Sequence, residues 1–179
     1  LVVFEKVCKF ISENKDLVKA ISVNFSVHQM SNPNIVPIVL TTINNFNISP
    51  SQIIIEITVS IFIDNFELVS KNMFDLVKAG VKFYLDDFGT GYSNLANVIS
   101  LPFSTIKLDR SLVLMMENND KNIKLFSNLI STFKGAKLNI IVEGVETEMQ
   151  NSLVKEAGAD YIQGFLYSRP LPADECLNK

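Results

Sequence analysis

Two adjacent aspartates, Asp86 and Asp87, end the apolar run at residues 81–85, and Gly89 and Gly91 follow them. Ionised carboxylates are costly at a buried strand end, because an unpaired charge there must shift its pKa or find a cation. The pair is typical of a two-metal site with ions about 4 Å apart, in which Asp86 bridges both ions and Asp87 binds only the second. The glycines would let the next loop turn sharply beside a ligand.

Other polar residues lie at or near the ends of further short apolar runs: Asn24, Glu56, Lys107, Asp109, Glu143 and Gln163. If the strands form a parallel barrel, their carboxyl ends emerge on one face, where these side chains would converge. Carboxylates gathered there repel one another unless cations lie among them, and an oxygen-rich set with an amide suits Mg²⁺ or Mn²⁺. Lys107 would add a positive charge for a phosphate or an attacking water. This pattern indicates phosphodiester hydrolysis.

The elements that must position these residues are helices that each lead into a short strand. Phe66, Val69, Met73 and Leu76 form a helical stripe that Gly80 ends, and the strand VKFYLDD follows. The same spacing predicts helices around 3–11, 123–133 and 153–157, and strands at 20–24, 53–58, 104–109, 138–144 and 160–164. Such alternation favours parallel pairing, in either a doubly wound sheet or a (β/α) barrel.

Composition sets limits on the class of protein. The chain has 179 residues, 47% of them hydrophobic, which is enough for one packed core, and no apolar run reaches the roughly 18 residues that span a bilayer. Its net charge of −3, without a Lys/Arg cluster, argues against binding to duplex nucleic acid. Cys8 and Cys176 lack metal-type spacing, so we expect free thiols in a reducing, cytoplasmic setting.

Several motifs together resemble one known family. DDFGTGYSNL, IKLD, VEGVE and QGF…RPLP, with VNFS and EIT upstream, are similar in sequence and order to the EAL-domain family of phosphodiesterases, which open cyclic di-GMP to linear pGpG. The resemblance covers the whole chain. It implies a TIM-type (β/α) barrel whose first strand runs antiparallel, with Mg²⁺ or Mn²⁺ at the strand ends.

The resemblance also implies a set of metal ligands. Asn24 of VNFS, Glu56 of EIT and Asp86 match ligands of a first ion, and Asp86 matches the bridge. Asp87 matches a ligand of the second ion, together with water. Glu143 of EGVE matches a metal-linked carboxylate or general base.

Further residues match catalytic and supporting positions of the family. Lys107 of IKLD would contact the water or the phosphate, and Gln163 of QGF would complete the water network. Asp109 and Glu146 would support the ligands from behind.

Two departures from the family pattern bear on activity. The Glu-Ala-Leu signature on the first strand is not in this sequence, which begins at Leu1 without Met, so we expect residues 1–179 to be one partial EAL domain lacking the first strand and helix. A barrel of about 250 residues would leave about 70 unaccounted for. Val59 stands where the family usually has a glutamate that steadies the loop after the paired aspartates. We expect the complete domain to be active and the fragment alone to be inactive.

Three functions remain open at this point. The first is a metal-dependent cyclic di-GMP phosphodiesterase, the second a silent cyclic di-GMP receptor, which Val59 favours, and the third a protein-interaction module. The sequence also leaves open a homodimer, an upstream GGDEF or sensory domain, and a place as the cytoplasmic part of a membrane-bound protein.

Overall fold

Helices and parallel strands alternate along the chain, as the apolar spacing predicts. The computed structural model describes residues 1–58, 65–90, 99–117 and 119–177. The chain divides into two units: the first is Leu1–Asp86 with Tyr92–Ser104, and the second is Asp87–Gly91 with Thr105–Lys179.

The first unit contains a parallel sheet of three strands: β1 (Ile21–Asn24), β2 (Ile53–Thr58) and β3 (Lys82–Phe88), whose last two residues belong to the second unit. Its helices are α1 (Val2–Glu13), α2 (Val27–Met30), α3 (Ile35–Asn45) and α4 (Phe66–Ala79), with a 3₁₀ turn at Pro50–Gln52.

One face of this sheet belongs to the core of the first unit. Ile53, Ile55 and Ile57 alternate along β2 and are buried, and Phe83 and Leu85 are buried in β3. Because successive strand residues point to opposite faces, the intervening residues lie on the other face. The polar positions of the strands are therefore held on a rigid backbone.

The second unit contains a second parallel set: β4 (Thr105–Leu108), β5 (Asn139–Val142) and β6 (Tyr161–Ile162), with Leu108 in register with Val142 and Val142 with Ile162. Its helices are α5 (Arg110–Met116), α6 (Asp120–Gly135), α7 (Glu148–Glu156) and α8 (Ala173–Cys176). Side chains cap three of them: the N-caps Asp109, Asn119 and Thr147 each accept a backbone hydrogen bond. These caps set where the chain turns from strand end or loop into helix.

Most of the predicted elements are confirmed, and several details differ, among them α5 and α8, which the apolar spacing did not predict. The sequence analysis did not predict α3, whose segment is rich in β-branched residues and contains Pro37; a proline is tolerated there because the first turn of a helix needs no such N–H donor. Helix α6 extends beyond the predicted residues 123–133 at both ends, to Asp120 and Gly135. Cys8 and Cys176 are free thiols, as predicted. In the part of the chain that the structure describes, no helix has both the length and the hydropathy to cross a membrane.

Candidate active site

In the first unit, three predicted metal ligands share one face of the sheet. Asn24 is the register partner of Glu56, and Asp86 is the partner of Thr58, two positions beyond Glu56. The alternation of strand side chains places Asn24, Glu56 and Asp86 on the face opposite the buried isoleucines of β2. Glu56 is only 7% exposed, whereas Asp86 is half-buried and Asn24 exposed.

In the second unit, a buried ion pair joins two neighbouring strands. Lys107 Nζ lies 2.9 Å from Glu143 Oε1, with the side chains 8% and 18% exposed. Lys107 is the register partner of Ile141, so Glu143, two residues further on, projects from the same face. The Glu143 backbone N–H donates to the carbonyl of Leu108 at 2.9 Å and continues the ladder one residue past β5. The pair is thus positioned by strand register.

Asp87 lies beside this ion pair. A carboxylate oxygen of Asp87 and one of Glu143 are within 4.8 Å of each other. Asp87 has φ +54°, in the left-handed region, and its carbonyl accepts hydrogen bonds from Thr90 N (3.3 Å) and Oγ1 (3.0 Å). Aspartate tolerates this conformation better than most residues. The backbone therefore departs from regular extended geometry at Asp87, directly after Asp86 and near the end of β3.

The loop after Asp87 is close to α5. Gly89 has φ +112°, and a Cβ there would lie 2.7 Å from Leu112 Cδ1. Glycine is therefore required at this turn both by its conformation and by lack of space. Gly91 and Val59 lie outside the described residues.

Asp109 acts as a helix cap. Its Oδ1 accepts a hydrogen bond from Ser111 N at 2.8 Å at the start of α5. Burial raises the pKa of the Asp109 carboxyl, but hydrogen bonds from Ser111 and Arg110 outweigh this effect and hold the pKa below its ordinary value. The carboxylate fixes the turn that follows Lys107 and Leu108.

Gln163 lies at the end of β6, and its side chain is exposed. Its backbone N–H donates to Val142 O at 2.8 Å, and its carbonyl accepts from Val145 N at 3.2 Å. The residue lines an open cavity of about 400 Å³, which Phe165 and Arg169 also line. The Arg169 guanidinium carbon is 4.7 Å from the centre of the Phe165 ring, a cation–π contact.

One residue that the sequence analysis did not single out pairs with Glu146. Arg110 Nη2 is 2.9 Å from Glu146 Oε2. In the sequence, a single arginine at the start of a helix cannot be distinguished from an ordinary surface cation, so the residue type did not indicate a role in the site. Only Gly144, between the two carboxylates of VEGVE, hinted that another side chain packs closely there.

The second unit therefore brings together Lys107, Glu143 and Asp87, with Asp109, Glu146 and Gln163 on the loops around them. Carboxylate oxygens beside an ammonium group can hold a hard divalent cation and neutralise a phosphate. The donors are oxygen atoms, which fits Mg²⁺ or Mn²⁺ better than the soft metals that thiolates select.

The comparison with family models decides the family. The model of the EAL domain matches residues 1–170. This chain belongs to the EAL domain family. Among curated relatives of this EAL domain, the signaling protein YkoW of Bacillus subtilis is 29% identical over 175 residues, which is 97% of the chain and 22% of YkoW. The chain spans about a fifth of the length of such relatives.

Two more proteins relate the EAL domain to solved structures. MucR of Pseudomonas aeruginosa, named a bifunctional diguanylate cyclase/cyclic di-GMP phosphodiesterase, is 32% identical over 88% of the chain and 23% of MucR. The structure described as the PaMucR phosphodiesterase in complex with c-di-GMP has a TM-score of 0.86 at 30% identity, covering 97% of this chain and 72% of that one. The manganese/cy-diGMP complex of BlrP1 of Klebsiella pneumoniae has a TM-score of 0.83 at 24% identity, covering 93% and 43%.

These likenesses confirm the predicted α/β fold of the TIM-type EAL family. The likeness to BlrP1, at 24% identity, supports the fold and nothing more.

Proposed function

We propose that this EAL domain, in its complete protein, is a metal-dependent phosphodiesterase that hydrolyses cyclic di-GMP to linear pGpG. The observation that carries the proposal is the buried Lys107–Glu143 ion pair with the Asp87 carboxylate beside it. Support also comes from MucR, a phosphodiesterase by name whose structure contains c-di-GMP.

The proposed metal ligands are Asn24, Glu56 and Asp86 for one ion, and Asp86, Asp87 and Glu143 around a second. All of them offer oxygen atoms, the donor type that Mg²⁺ and Mn²⁺ prefer. When bound, the ions would supply Lewis acidity and a reactive nucleophile at neutral pH. The manganese complex of BlrP1 is compatible with such a site.

The side chains of this domain would stabilise charge, accept a proton and orient water. The Lys107 ammonium would neutralise charge that develops on the phosphate, since such a group is effective where water is largely excluded. The Glu143 carboxylate, with Oε1 held by Lys107, would accept the proton of the attacking water. Gln163 would orient water at the edge of the site, and Asp109 and Glu146 would hold the loops that carry these groups.

The test is chromatography of cyclic di-GMP incubated with the complete protein in Mg²⁺, in Mn²⁺ and in EDTA. Linear pGpG formed only with metal supports the proposal. Intact nucleotide, with a sample shown to be folded, contradicts it. Lys107→Met should lose turnover, and Lys134→Met is its matched control, because Lys134 forms a 2.9 Å ion pair with Asp160 in the same unit.

A second candidate is a receptor that binds cyclic di-GMP without turnover. Val59 favours it, because a valine cannot accept the hydrogen bonds that the family's usual glutamate accepts. Val59→Glu in the complete protein separates the two functions. Turnover that appears only in this variant supports the receptor, and equal turnover in both proteins rules out Val59 as a defect.

The full protein extends the proposal to partners. Since MucR is named for both cyclase and phosphodiesterase activities and is much longer than this chain, we propose an adjoining GGDEF or sensory domain. A homodimer and cytoplasmic placement, free or as part of a membrane-bound protein, belong to the same proposal. Sedimentation and fractionation of the complete protein test them.

A further inference from the structure

The side chain of Arg110 connects the start of α5 to the loop after β5. The guanidinium Nη2 lies 2.9 Å from Glu146 Oε2. The aliphatic stem lies against Gly144, where a Cβ would overlap the Arg110 Cβ and lie 2.5 Å from its Cγ. Arg110 therefore contacts the residue directly after Glu143 and pairs with the residue three positions after it.

Gly144 is suited to this contact. Its φ of +71° is in the left-handed region, and its lack of a side chain leaves the space that the arginine stem occupies. Any other residue would displace Arg110 or move the backbone next to Glu143. The close approach of Arg110 therefore restricts where the backbone at Gly144, next to Glu143, can lie.

The other side of the loop is attached to α7. Gln150 Oε1 accepts hydrogen bonds from Glu146 N (2.7 Å) and Thr147 N (3.1 Å), and Gln150 Nε2 donates to Glu117 Oε1 (2.8 Å). These bonds fix the loop at residues 146–147. Between residues 146–147 and Glu143, the Val145 N–H donates to Gln163 O at 3.2 Å, and the Arg110 side chain lies against Gly144, directly after Glu143.

The Arg110–Glu146 pair is too exposed to serve stability alone. The side chains are 49% and 33% exposed, and pairs of this kind contribute little to the free energy of unfolding. We expect the pair to affect the position of the loop more than the free energy of unfolding. The Glu143 carboxylate lies within 2.9 Å of Lys107 Nζ and within 4.8 Å of an Asp87 oxygen, and both distances depend on the backbone of this loop. A displaced backbone at Gly144 would carry Glu143 away from both.

We propose that Arg110 is a positioning residue for Glu143: its stem and its ion pair with Glu146 hold the Glu143 carboxylate against Lys107 and beside Asp87. The inference rests on the proposed phosphodiesterase function. Residues that orient ligands or catalytic groups in this way typically change metal affinity or activity about 10- to 100-fold when they are removed.

The experiment uses four variants of the complete protein: Arg110→Met, Arg110→Lys, the double variant Arg110→Glu/Glu146→Arg, and Lys134→Met as control. Methionine keeps much of the stem and removes the charge, whereas lysine keeps both stem and charge. Lys134 belongs to an equally long and similarly exposed ion pair, 42% and 26%, whose Asp160 accepts a hydrogen bond from Ile140 N near the start of β5, whereas Glu143 follows the other end of that strand. Each variant is characterised by three measurements: its Mn²⁺ affinity by calorimetry, its kcat and KM for cyclic di-GMP, and hydrogen exchange at the Val145 and Glu146 amides.

We expect Arg110→Met to lower kcat and weaken Mn²⁺ binding about 10- to 100-fold with KM little changed, and to speed exchange at both amides. Lys134→Met should leave all of these unchanged, Arg110→Lys should retain most of the activity, and the reversed pair should recover part of it.

Three outcomes would overturn the inference: equal behaviour of Arg110→Met and Lys134→Met, unchanged amide exchange, or a rise in KM alone, which would make Arg110 a substrate contact. Failure of the proposed function is recognised separately. The wild-type protein would then form no pGpG, while amide exchange and Mn²⁺ affinity would still report on the Arg110 contact.

Discussion

Lys107 and Glu143 form a 2.9 Å ion pair whose side chains are both mostly buried, and they come from neighbouring parallel strands. Charges that are removed from water in this way must be paired, because the desolvation of an isolated ion is expensive. In this EAL domain, the same pair presents an ammonium and a carboxylate next to Asp87. The contact between Lys107 Nζ and Glu143 Oε1 therefore contributes both to the stability of the fold and to the proposed catalysis.

Lys107→Met should decrease both turnover and stability. Loss of the ammonium leaves the Glu143 carboxylate without its cation, which we expect to cost about 2 kcal/mol in the free energy of unfolding and at least about 100-fold in kcat. Because a divalent cation can replace the lost charge, Mn²⁺ should stabilise this variant more than the wild type. Urea unfolding with Mn²⁺ and with EDTA measures the difference. Equal stabilisation of both proteins would show that the cation does not bind near Glu143.

Asp86→Asn should abolish metal-dependent binding of cyclic di-GMP. The neutral amide cannot bridge two cations as a carboxylate does, so the dissociation constant measured in Mn²⁺ should equal that in EDTA. Asp75→Asn is the control in the same unit, since Asp75 is paired with Lys71 on the surface of α4. Metal-dependent binding that survives Asp86→Asn would exclude Asp86 as the bridge.

Gly164→Ala should strongly destabilise the second unit. A Cβ at this position would overlap the backbone N and O of Val145 and lie 2.7 Å from its carbonyl carbon, so backbone must move. Overpacking of this kind costs about 3 kcal/mol. Gly135→Ala is the control, because nothing lies within 4 Å of a Cβ there, and it should stabilise by about 0.5 kcal/mol. Thermal unfolding of both variants checks this, and similar midpoints would contradict the close approach.

Asp160→Asn should remove stability at neutral pH but not in acid. The side-chain hydrogen bond from Lys134 lowers the pKa of Asp160, burial opposes this, and the Ile140 N–H adds to the lowering. A lowered folded-state pKa stabilises above the unfolded pKa of about 3.9, and the stabilisation is lost as the pH falls through the folded-state pKa.

At pH 7 we therefore expect a loss of about 1 kcal/mol in the free energy of unfolding for Asp160→Asn. Urea denaturation at pH 7 and in acid below the folded-state pKa compares the variant with the wild type. A deficit of the same size in both conditions would mean that the carboxylate charge is not the cause.

Patterns within single segments of the sequence were enough to predict most of the helices and strands. Strand β2 was predicted and observed at the same residues, 53–58, because alternating isoleucines form a signal within one segment. Gly80 ends α4 with φ +107°, as its position predicts. Helix α3 escaped prediction because its β-branched residues favour a strand locally, whereas its buried residues Ile35, Val39 and Ile43 form a helical stripe.

The sequence by itself determined which residues can do chemistry and to which family the chain belongs, since the aspartate pair, Lys107, Glu143 and the motifs around them are local features. The metal ligands stay a prediction. Only the tertiary structure decided that Lys107 pairs with Glu143 and that Arg110 pairs with Glu146, 36 residues further along the chain. Such pairings follow from the register between strands and the approach of separate loops. These depend on contacts between distant segments, which no single segment encodes.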